Sequence, residues 1–291
     1  MTADVKTKPQ DRYVTVDGLK MRYIEEGQGP ALVMLHGASL GSSADVFIRN
    51  LGPLAKAGFR AIAFDVPGFG LTDVPEDASP AFRRKIVPKF IDALGLKKVA
   101  LIGHSQAGGT AVQLALQEPE RYSHVVILGT GSLLPPLDEK KDDSREGAVQ
   151  QRLERRMAAA EPTIDDTRKL LEANLYHHEL ITPDELALRH SRSIGPAFRA
   201  FVMRNELAES GKAKAKTDEK PLWQKTVDLQ MPVLMIYGKN DRANANERAL
   251  LLKKTYPQLD LHIVDDCKHL VPWDAADEFI RLAVPFLKKT A

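Results

Sequence analysis

Ser105 lies in a short turn of small residues between a strand-like run and a helical run, a position from which a serine can act as a nucleophile. The apolar residues 99–102 precede the turn 103–107, which reads Gly-His-Ser-Gln-Ala, and the helical residues 110–118 follow. Small residues let such a turn fold sharply, so that the serine oxygen stands at the carboxyl end of the strand and near the amino end of the helix. An ordinary turn can carry the same short pattern, so the remainder of the chain must supply the partners of a reactive serine.

Those partners are an acid and a histidine. A serine hydroxyl becomes a good nucleophile when an imidazole takes its proton and a carboxylate fixes the tautomer of that imidazole. In folds with this serine turn the order along the chain is serine, acid, histidine. Asp241 follows one strand-like run and His269 follows the last one, so both are predicted at the sheet edge that carries Ser105. Asp265 and Asp266 are alternative acids on the loop of His269, but we predict Ser105, Asp241 and His269 as the catalytic residues.

Two backbone amides near Ser105 could stabilise the negative charge that develops on a substrate oxygen. One is the amide of Gln106, which follows the predicted nucleophile at the amino end of the helix. The other should come from the loop after the third strand-like run, where His36 and Gly37 lead to Ala38. An ordinary strand-end turn is the alternative interpretation of that loop. With Ser105 present, we predict Ala38 and Gln106 as the oxyanion hole.

Composition limits the classes of partner. The 291 residues are 43% hydrophobic, enough for one large domain or a domain with an insertion. The 41 basic and 39 acidic residues leave a net charge of +2, without a basic run interleaved with aromatics, which argues against nucleic-acid binding. The polar amino terminus lacks a signal-like apolar region, and no run approaches the roughly 18 apolar residues of a membrane span. The single cysteine, Cys267, cannot form a disulfide within the chain and is predicted to be a packing residue. We expect a cytoplasmic protein that acts on a small-molecule substrate with no metal or other cofactor.

Strand-like and helical runs alternate along most of the chain. The short apolar runs are bounded by Gly, Pro or Asp, which is typical of parallel strands covered by helices on both faces. Strands are predicted at residues 12–16, 20–25, 31–35, 60–64, 98–102, 124–128, 231–237 and 259–264, and helices at 46–57, 81–94, 110–118 and 274–288. The first two strands read as a hairpin. This pattern predicts an α/β fold with a mostly parallel sheet.

The strand rhythm stops between residues 133 and 221, which we interpret as an inserted helical cap. The predicted domains are therefore a core of residues 1–132 and 222–291 and a cap of residues 133–221. Such a cap would lie over the carboxyl edge of the sheet, where open α/β sheets bind ligands, and would exclude water from the site. The charged residues 138–146 are interpreted as a solvated hinge at its start.

Two helix starts within this segment are well marked. Thr163 and Thr182 each precede an acidic residue by three positions, and the second is followed directly by a proline. Apolar side chains at Ile164, Leu171 and Leu175 would share one face of the first helix.

Five motifs spread over nearly the whole chain resemble those of the α/β-hydrolase superfamily. They are Leu35-His36-Gly37, residues 65–70 (Asp-Val-Pro-Gly-Phe-Gly), residues 103–107, residues 238–241 (Gly-Lys-Asn-Asp), and His269 followed by residues 277–279. A narrower resemblance, in residues 161–166, 180–189 and 266–273, is to the meta-cleavage product hydrolases, which break a carbon-carbon bond in vinylogous diketones from aromatic-ring degradation. This resemblance implies a first enol-to-keto tautomerisation of the substrate, and it suggests self-association.

The narrower resemblance also implies which residues contact the substrate. Arg189 matches an arginine that contacts the dienoate end, although it could instead be a surface helix residue. The other implied pocket residues are Ser39, His104, Leu270 and Trp273. The chain departs from the family pattern at several of these positions: His104 replaces an asparagine, Leu270 replaces a tryptophan, and residues 38–42 replace a Gly-Pro-rich loop. Because these positions line the pocket of the family, the departures bear on which substrate the pocket accepts.

The leading hypothesis is a cofactor-free serine hydrolase that cleaves a carbon-carbon bond in a vinylogous diketone. An ester or a lactone is the alternative substrate, because the same triad and oxyanion hole serve any acyl transfer. A ligand-binding receptor built on a hydrolase fold is a third interpretation, and the presence of all three triad residue types argues against it.

Overall fold

The sheet that carries the predicted catalytic residues has eight strands, in the order β1-β2-β4-β3-β5-β6-β7-β8. The computed structural model describes residues 9–137, 159–210 and 220–289. The strands are β1 (Arg12–Val16), β2 (Leu19–Glu26), β3 (Ala31–Leu35), β4 (Arg60–Phe64), β5 (Val99–His104), β6 (Tyr122–Leu128), β7 (Val233–Gly238) and β8 (Asp260–Val264). β1 and β2 form the predicted hairpin, β2 runs antiparallel to β4, and the strands from β3 onward are parallel. The predicted α/β fold is therefore confirmed.

Side-chain alternation along the central strands divides the core into two apolar layers. In β3, Val33 and Leu35 point into one layer, whereas Leu32 and Met34 point into the other. Because helices cover both faces, both sets of side chains are buried, and the strand reads as a continuous apolar run in the sequence. This double burial is what made the parallel strands recognisable.

The helices are α1 (Ile48–Lys56), α2 (Pro80–Ala93), α3 (Gln106–Gln117), α4 (Ile164–Asn174), α5 (Pro183–Ser191), α6 (Pro196–Ser210), α7 (Leu222–Lys225), α8 (Ala245–Thr255), α9 (Val271–Asp274) and α10 (Ala276–Leu287). Within the described ranges, none of them has the length and apolar character needed to cross a membrane. α2 and α3 pack against the layer that contains Val33, and α1 and α10 pack against the opposite layer.

The last predicted helix, residues 274–288, corresponds to α10, which begins two residues later than predicted because Ala275 separates it from the short α9. Ala275 leaves the helical conformation at φ −127° and ψ 47°. The Asp274 carboxylate accepts hydrogen bonds from the backbone amides of Tyr176, His177 and Lys268, which tie it to two other segments of the chain. These contacts fix the short α9 separately from the helix that follows.

Between β6 and β7 the described residues 159–210, here called the helical segment, contain α4 to α6 and no strand. Thr163 caps α4 with a complete capping box, and Thr182 caps α5 by accepting from the amide of Glu185. Of the three apolar residues at helical spacing, Leu171 and Leu175 are buried, whereas Ile164, the first residue of α4, is 50% exposed. The charged residues 138–146 lie outside the described residues, and the division into core and cap stays a prediction.

Candidate active site

The turn that holds Ser105 is strained. Ser105 adopts φ 57° and ψ −129°, a conformation that costs a residue other than glycine on the order of 1–3 kcal/mol. A Cβ atom at Gly103 would lie 2.6 Å from the carbonyl oxygen of Ala107, and one at Gly108 would lie 2.1 Å from the Thr130 hydroxyl. Only glycine therefore fits at these two positions, and the sharp turn inferred from the small residues follows from this close packing.

The parallel register brings the ends of neighbouring strands to one edge of the sheet. Leu35 at the end of β3 pairs with Gly103 of β5, and Leu128 at the end of β6 pairs with Ile236 of β7. The loops that follow these strands therefore start side by side. The serine turn, the Asp241 loop and the His269 loop all belong to this edge.

Ser105, His269 and Asp241 form a continuous chain of contacts. The Nε2 atom of His269 lies 2.9 Å from the Ser105 Oγ atom, and its Nδ1 atom lies 3.0 and 3.2 Å from the two carboxylate oxygens of Asp241. Asp241 also accepts a hydrogen bond from the Arg242 amide at 2.7 Å. When Nδ1–H donates to Asp241, the Nε2 lone pair faces the serine hydroxyl, which is the geometry of general-base activation. The structure thus brings together the three residues predicted from the sequence.

The alternative acid Asp265 lies outside this arrangement. Its side chain is 76% exposed, and it pairs with Lys239 at 2.6 Å. The Asp241 side chain, by contrast, is 4% exposed and contacts the imidazole directly. The geometry therefore favours Asp241 over Asp265 as the acid.

The loop after β3 passes directly beside the serine. A Cβ atom at Gly37 would lie 3.0 Å from the Ser105 Cβ and 3.4 Å from its Oγ. Within the described part of the chain, the amides of Ala38 and Gln106 donate to no protein acceptor. Two free amides beside the serine are what an oxyanion hole needs, and this role stays a prediction for both residues.

His36 fixes the conformation of that loop. Its Nε2 atom accepts a hydrogen bond from the Val66 amide at 3.0 Å, and its Nδ1 atom then donates to the Gly37 carbonyl oxygen at 2.7 Å. Burial, together with the charges of nearby arginines, lowers the pKa of His36 to about 3. The neutral ring therefore serves as a fixed support for Gly37 and Ala38.

His104, a predicted pocket residue, is buried against the catalytic histidine. Its Nε2–H donates to the carbonyl oxygen of His269 at 2.9 Å, and the two rings lie 5.2 Å apart. Burial, together with the neighbouring His269, lowers the pKa of His104 well below its usual value. The structure therefore shows His104 supporting the backbone of His269, and its contact with substrate stays a prediction.

Asn174, at the end of α4, links the helical segment to both catalytic loops. Its carbonyl oxygen accepts hydrogen bonds from the amides of His269 and Leu270, at 3.1 and 3.2 Å. Its side-chain oxygen accepts from the guanidinium of Arg242, the neighbour of Asp241. Asn174 is not among the residues predicted from the sequence, because a contact across about seventy to a hundred residues leaves no periodic signal in a single sequence.

Arg189 is buried, which excludes the interpretation as a surface helix residue. It is 7% exposed, and a Cβ atom at Gly41 would lie 3.1 Å from its Nε atom. That Nε atom has no hydrogen-bond partner within the described residues. Burial lowers the pKa of Arg189 to about 10, against the attraction of Asp45. A buried guanidinium nitrogen without an acceptor is available to an anionic ligand.

The remaining predicted pocket residues are Trp273, Ser39 and Leu270. Trp273 is buried and lines a small pocket together with Arg189 and Asp45. Ser39 lies in the loop after Ala38, and its hydroxyl is 3.1 Å from that of Ser42. Leu270 is buried in the apolar layer behind His269. Contact of these side chains with substrate stays a prediction.

The fold has known counterparts. The family model for the alpha/beta hydrolase fold matches residues 30–276. The chain belongs to the α/β-hydrolase family. The 2-hydroxy-6-oxo-6-phenylhexa-2,4-dienoate hydrolase of Comamonas testosteroni is 30% identical over 92% of this chain and 91% of its own length. A 2-hydroxy-6-oxononadienedioate/2-hydroxy-6-oxononatrienedioate hydrolase of Burkholderia vietnamiensis is 30% identical over 96% of each chain.

A solved structure of the meta-cleavage product hydrolase from Pseudomonas fluorescens is also similar to this chain. It has a TM-score of 0.74 at 25% sequence identity and covers 95% of this chain and 97% of its own. The predicted resemblance to meta-cleavage product hydrolases is therefore confirmed.

In this α/β hydrolase a cleft of about 400 Å³ begins at the two candidate oxyanion residues, Ala38 and Gln106, and extends between α2 and α3. Phe69 and Val87 supply apolar walls, and polar side chains project from both helices. Its polar lining residues are His36, Arg83, Arg84, Gln106, Thr110, Gln113 and Ser132. No cluster of side chains in the described ranges has the composition of a metal site.

Proposed function

We propose that the protein is a serine hydrolase that cleaves the carbon-carbon bond between C5 and C6 of a 2-hydroxy-6-oxo-2,4-dienoate. The observation that carries this proposal is the unbroken contact from Ser105 through His269 to Asp241. The relatives supply the substrate class, since both curated ones described above are named as hydrolases of such dienoates.

Arg189 would bind the carboxylate at the dienoate end. Its guanidinium is buried against the loop after β3 and has an unpaired Nε atom, so a carboxylate there would gain a charge-assisted hydrogen bond. Anchoring one end of the substrate holds the reacting ketone in a fixed position relative to the serine. The enol must first become the keto form, with a proton added at C5, before the bond can break.

The ketone at C6 would then react beside Ser105. His269 takes the proton of the serine hydroxyl, or of a water held by it, and the oxygen attacks C6 while Asp241 stabilises the imidazolium. The amides of Ala38 and Gln106 hold the negative oxygen that forms at C6. Collapse of this intermediate breaks the bond between C5 and C6, the electron pair passes through the conjugated system to the C2 oxygen, and that oxygen takes up the proton carried by His269. Where the serine oxygen attacked, a water activated by His269 then hydrolyses the acyl-serine. Overall, one water is consumed, and the products are a carboxylic acid and 2-hydroxypenta-2,4-dienoate.

The test is a spectrophotometric assay of ring-fission dienoates beside aryl esters and lactones. We expect the dienoate absorbance to decay with the highest kcat/KM, and Ser105→Ala to reduce turnover at least about a thousandfold. A matched control is Ser191→Ala, which removes a hydroxyl from an exposed position in the helical segment. Clear preference for esters or lactones would overturn the substrate class, and full activity of Ser105→Ala would overturn the mechanism.

A further inference from the structure

Arg189, the residue proposed to bind the dienoate carboxylate, shares its pocket with an acidic side chain. Asp45, from the segment between β3 and α1, lines the pocket beside Trp273 together with Arg189. Burial lowers the pKa of Arg189 and the charge of Asp45 opposes this shift, so the two groups interact across the pocket. A protein carboxylate at this position is a competitor for a substrate carboxylate, because both carry the group that a guanidinium binds. Within the described residues, however, Asp45 and Arg189 form no ion pair.

Other donors bind both oxygens of the Asp45 carboxylate. Its Oδ1 atom accepts from the Arg22 Nη2 atom at 2.6 Å. Its Oδ2 atom accepts from the Arg192 Nε atom at 2.9 Å and from the Ser43 hydroxyl at 3.0 Å. The side chain of Asp45 is 8% exposed, so solvent competes little with these contacts. Both oxygens of Asp45 therefore have partners other than Arg189.

Arg192 is the partner that ties Asp45 to the helical segment. It directly follows α5, three positions after Arg189, and it lines the same pocket. Arg22, by contrast, also contacts the fully buried Asp65 of the core. Without Arg192, the Oδ2 atom of Asp45 would keep only a serine hydroxyl as its donor, in a pocket where the Nε atom of Arg189 has no acceptor. Opposite charges attract strongly where the protein excludes solvent, so Asp45 and Arg189 would then pair.

We propose that Arg192 is a positioning residue that holds Asp45 away from Arg189 and thereby keeps Arg189 available to the carboxylate of the substrate. This inference rests on the proposed function and adds a determinant of substrate binding to it. When Arg192 is lost, the Asp45 carboxylate pairs with Arg189, and the substrate must displace it. Such an internal competitor raises KM but leaves kcat unchanged, because a bound substrate meets the same catalytic residues.

The first experiment measures Arg192→Gln on a ring-fission dienoate and on the matching compound whose C1 carboxylate is replaced by a carboxamide. We expect KM for the carboxylate to rise about ten- to a hundredfold, the range given by one charge-assisted contact, while kcat stays within about threefold. The carboxamide has no charge for Arg189 to bind, so its KM should stay nearly the same. Arg199→Gln is the matched control, because it removes the same charge from an exposed position on α6. An unchanged KM for the carboxylate, or an equal rise for both compounds, overturns the proposal.

Second substitutions identify the competing carboxylate. In the Arg192→Gln background, Asp45→Asn should restore the KM for the carboxylate, because an amide carries no negative charge. Glu185→Gln is the matched control, since Glu185 also lines the pocket and its replacement should not restore KM. Arg192→Lys keeps a cation beside Asp45 and should keep KM near that of the unaltered protein. Rescue by Glu185→Gln instead of Asp45→Asn, rescue by neither, or a rise of KM in Arg192→Lys as large as in Arg192→Gln overturns the proposal.

A binding measurement separates this proposal from the proposed function. Calorimetric titration with 2,4-hexadienoate reports on the Arg189 site without turnover, and 2,4-hexadienamide is the uncharged control ligand. Hexadienoate should bind about ten- to a hundredfold more weakly to Arg192→Gln than to the unaltered protein, and adding Asp45→Asn should restore its affinity. If no ring-fission dienoate is cleaved, the proposed function fails and the titration alone decides the role of Arg192. Equal affinity of the two proteins for hexadienoate, or no binding to the unaltered protein, overturns that role.

Discussion

Several buried or half-buried arginines in the described residues fall into two groups that differ in their partners. Arg22 of β2 contacts Asp45 at 2.6 Å and Asp65, which follows β4, at 3.3 Å. Asp45 is shared with Arg192 of the helical segment at 2.9 Å. Burial would raise the pKa of Asp45, but the two arginines hold it below its usual value. We call these residues the paired group.

The arginines around the site, here called the unpaired group, are Arg83, Arg189 and Arg204. Their pKa values are lowered by burial, and none contacts a carboxylate within the described residues. A buried cation that lacks an anion destabilises a fold unless something else compensates its charge. The paired group is therefore expected to stabilise the fold, and the unpaired arginines fit the anion-binding role proposed for Arg189.

The largest effect should come from breaking the paired group. Arg22→Met leaves Asp65 fully buried with only two amide donors, from Ala44 and Leu71, so the free energy of unfolding should fall by about 3–5 kcal/mol. Urea denaturation measures this loss, and Arg281→Met on the exposed face of α10 is the control, expected within about 0.5 kcal/mol of the unaltered protein. A small loss of unfolding free energy in Arg22→Met would contradict the structural role of this group.

The next prediction applies the same arginine-to-methionine change to the unpaired group. Here we expect stability to be retained and activity to be lost. Arg189→Met removes a buried charge without an ion-pair partner, so the free energy of unfolding should not fall. The kcat/KM for a dienoate should decrease. The decrease should correspond to a loss of about 1.5–3 kcal/mol of transition-state stabilisation, because one charge-assisted hydrogen bond is lost. Denaturation and kinetics on one preparation decide the outcome, and a stability loss comparable to that of Arg22→Met would erase the distinction between the groups.

The smallest effect is on the pH dependence of stability. Asp65 in the paired group and His104 beside the catalytic histidine should contribute to it with opposite sign. Burial raises the pKa of Asp65 to about 6 from about 3.8, so its contribution to stability is present below pH 3.8 and is lost as the pH rises through 6. The pKa of His104 lies well below 6.5, so its contribution is present above pH 6.5 and is lost as the pH falls.

Denaturation at a series of pH values from 7 to 4 measures both contributions by difference. His104→Asn should flatten the acid loss of stability by up to about 1.4 kcal/mol per pH unit, and Asp65→Asn should steepen it. Changes of the same sign in the two variants would contradict the assignment.

The sequence was sufficient for the parts of the fold that obey a local pattern. Buried parallel strands such as β3 and β5 are continuous apolar runs, and Thr163 and Thr182 mark helix starts by their own side chains. The shared position of Ser105, Asp241 and His269 also followed from the strand ends, because the loops after parallel strands begin at one edge of the sheet.

Features that depend on distant contacts could not be found in this way. Asn174 contacts two loops far along the chain, and the sharing of Asp45 between Arg22 and Arg192 joins three separate segments. The break at Ala275 likewise depends on which amides Asp274 meets. A single sequence records residue types and spacing, whereas these pairings exist only after the sheet and the helical segment have come together.

The position of Asn174 has one consequence for how the protein can move. Its carbonyl accepts from the backbone amides of His269 and Leu270, so a displacement of α4 away from the sheet edge would break these bonds or move the loop of His269 with it. If a molecule entered by displacing α4 with that loop, the imidazole would leave the serine and would return only when the helix was seated again. Entry by that route and bond cleavage would then exclude each other in time.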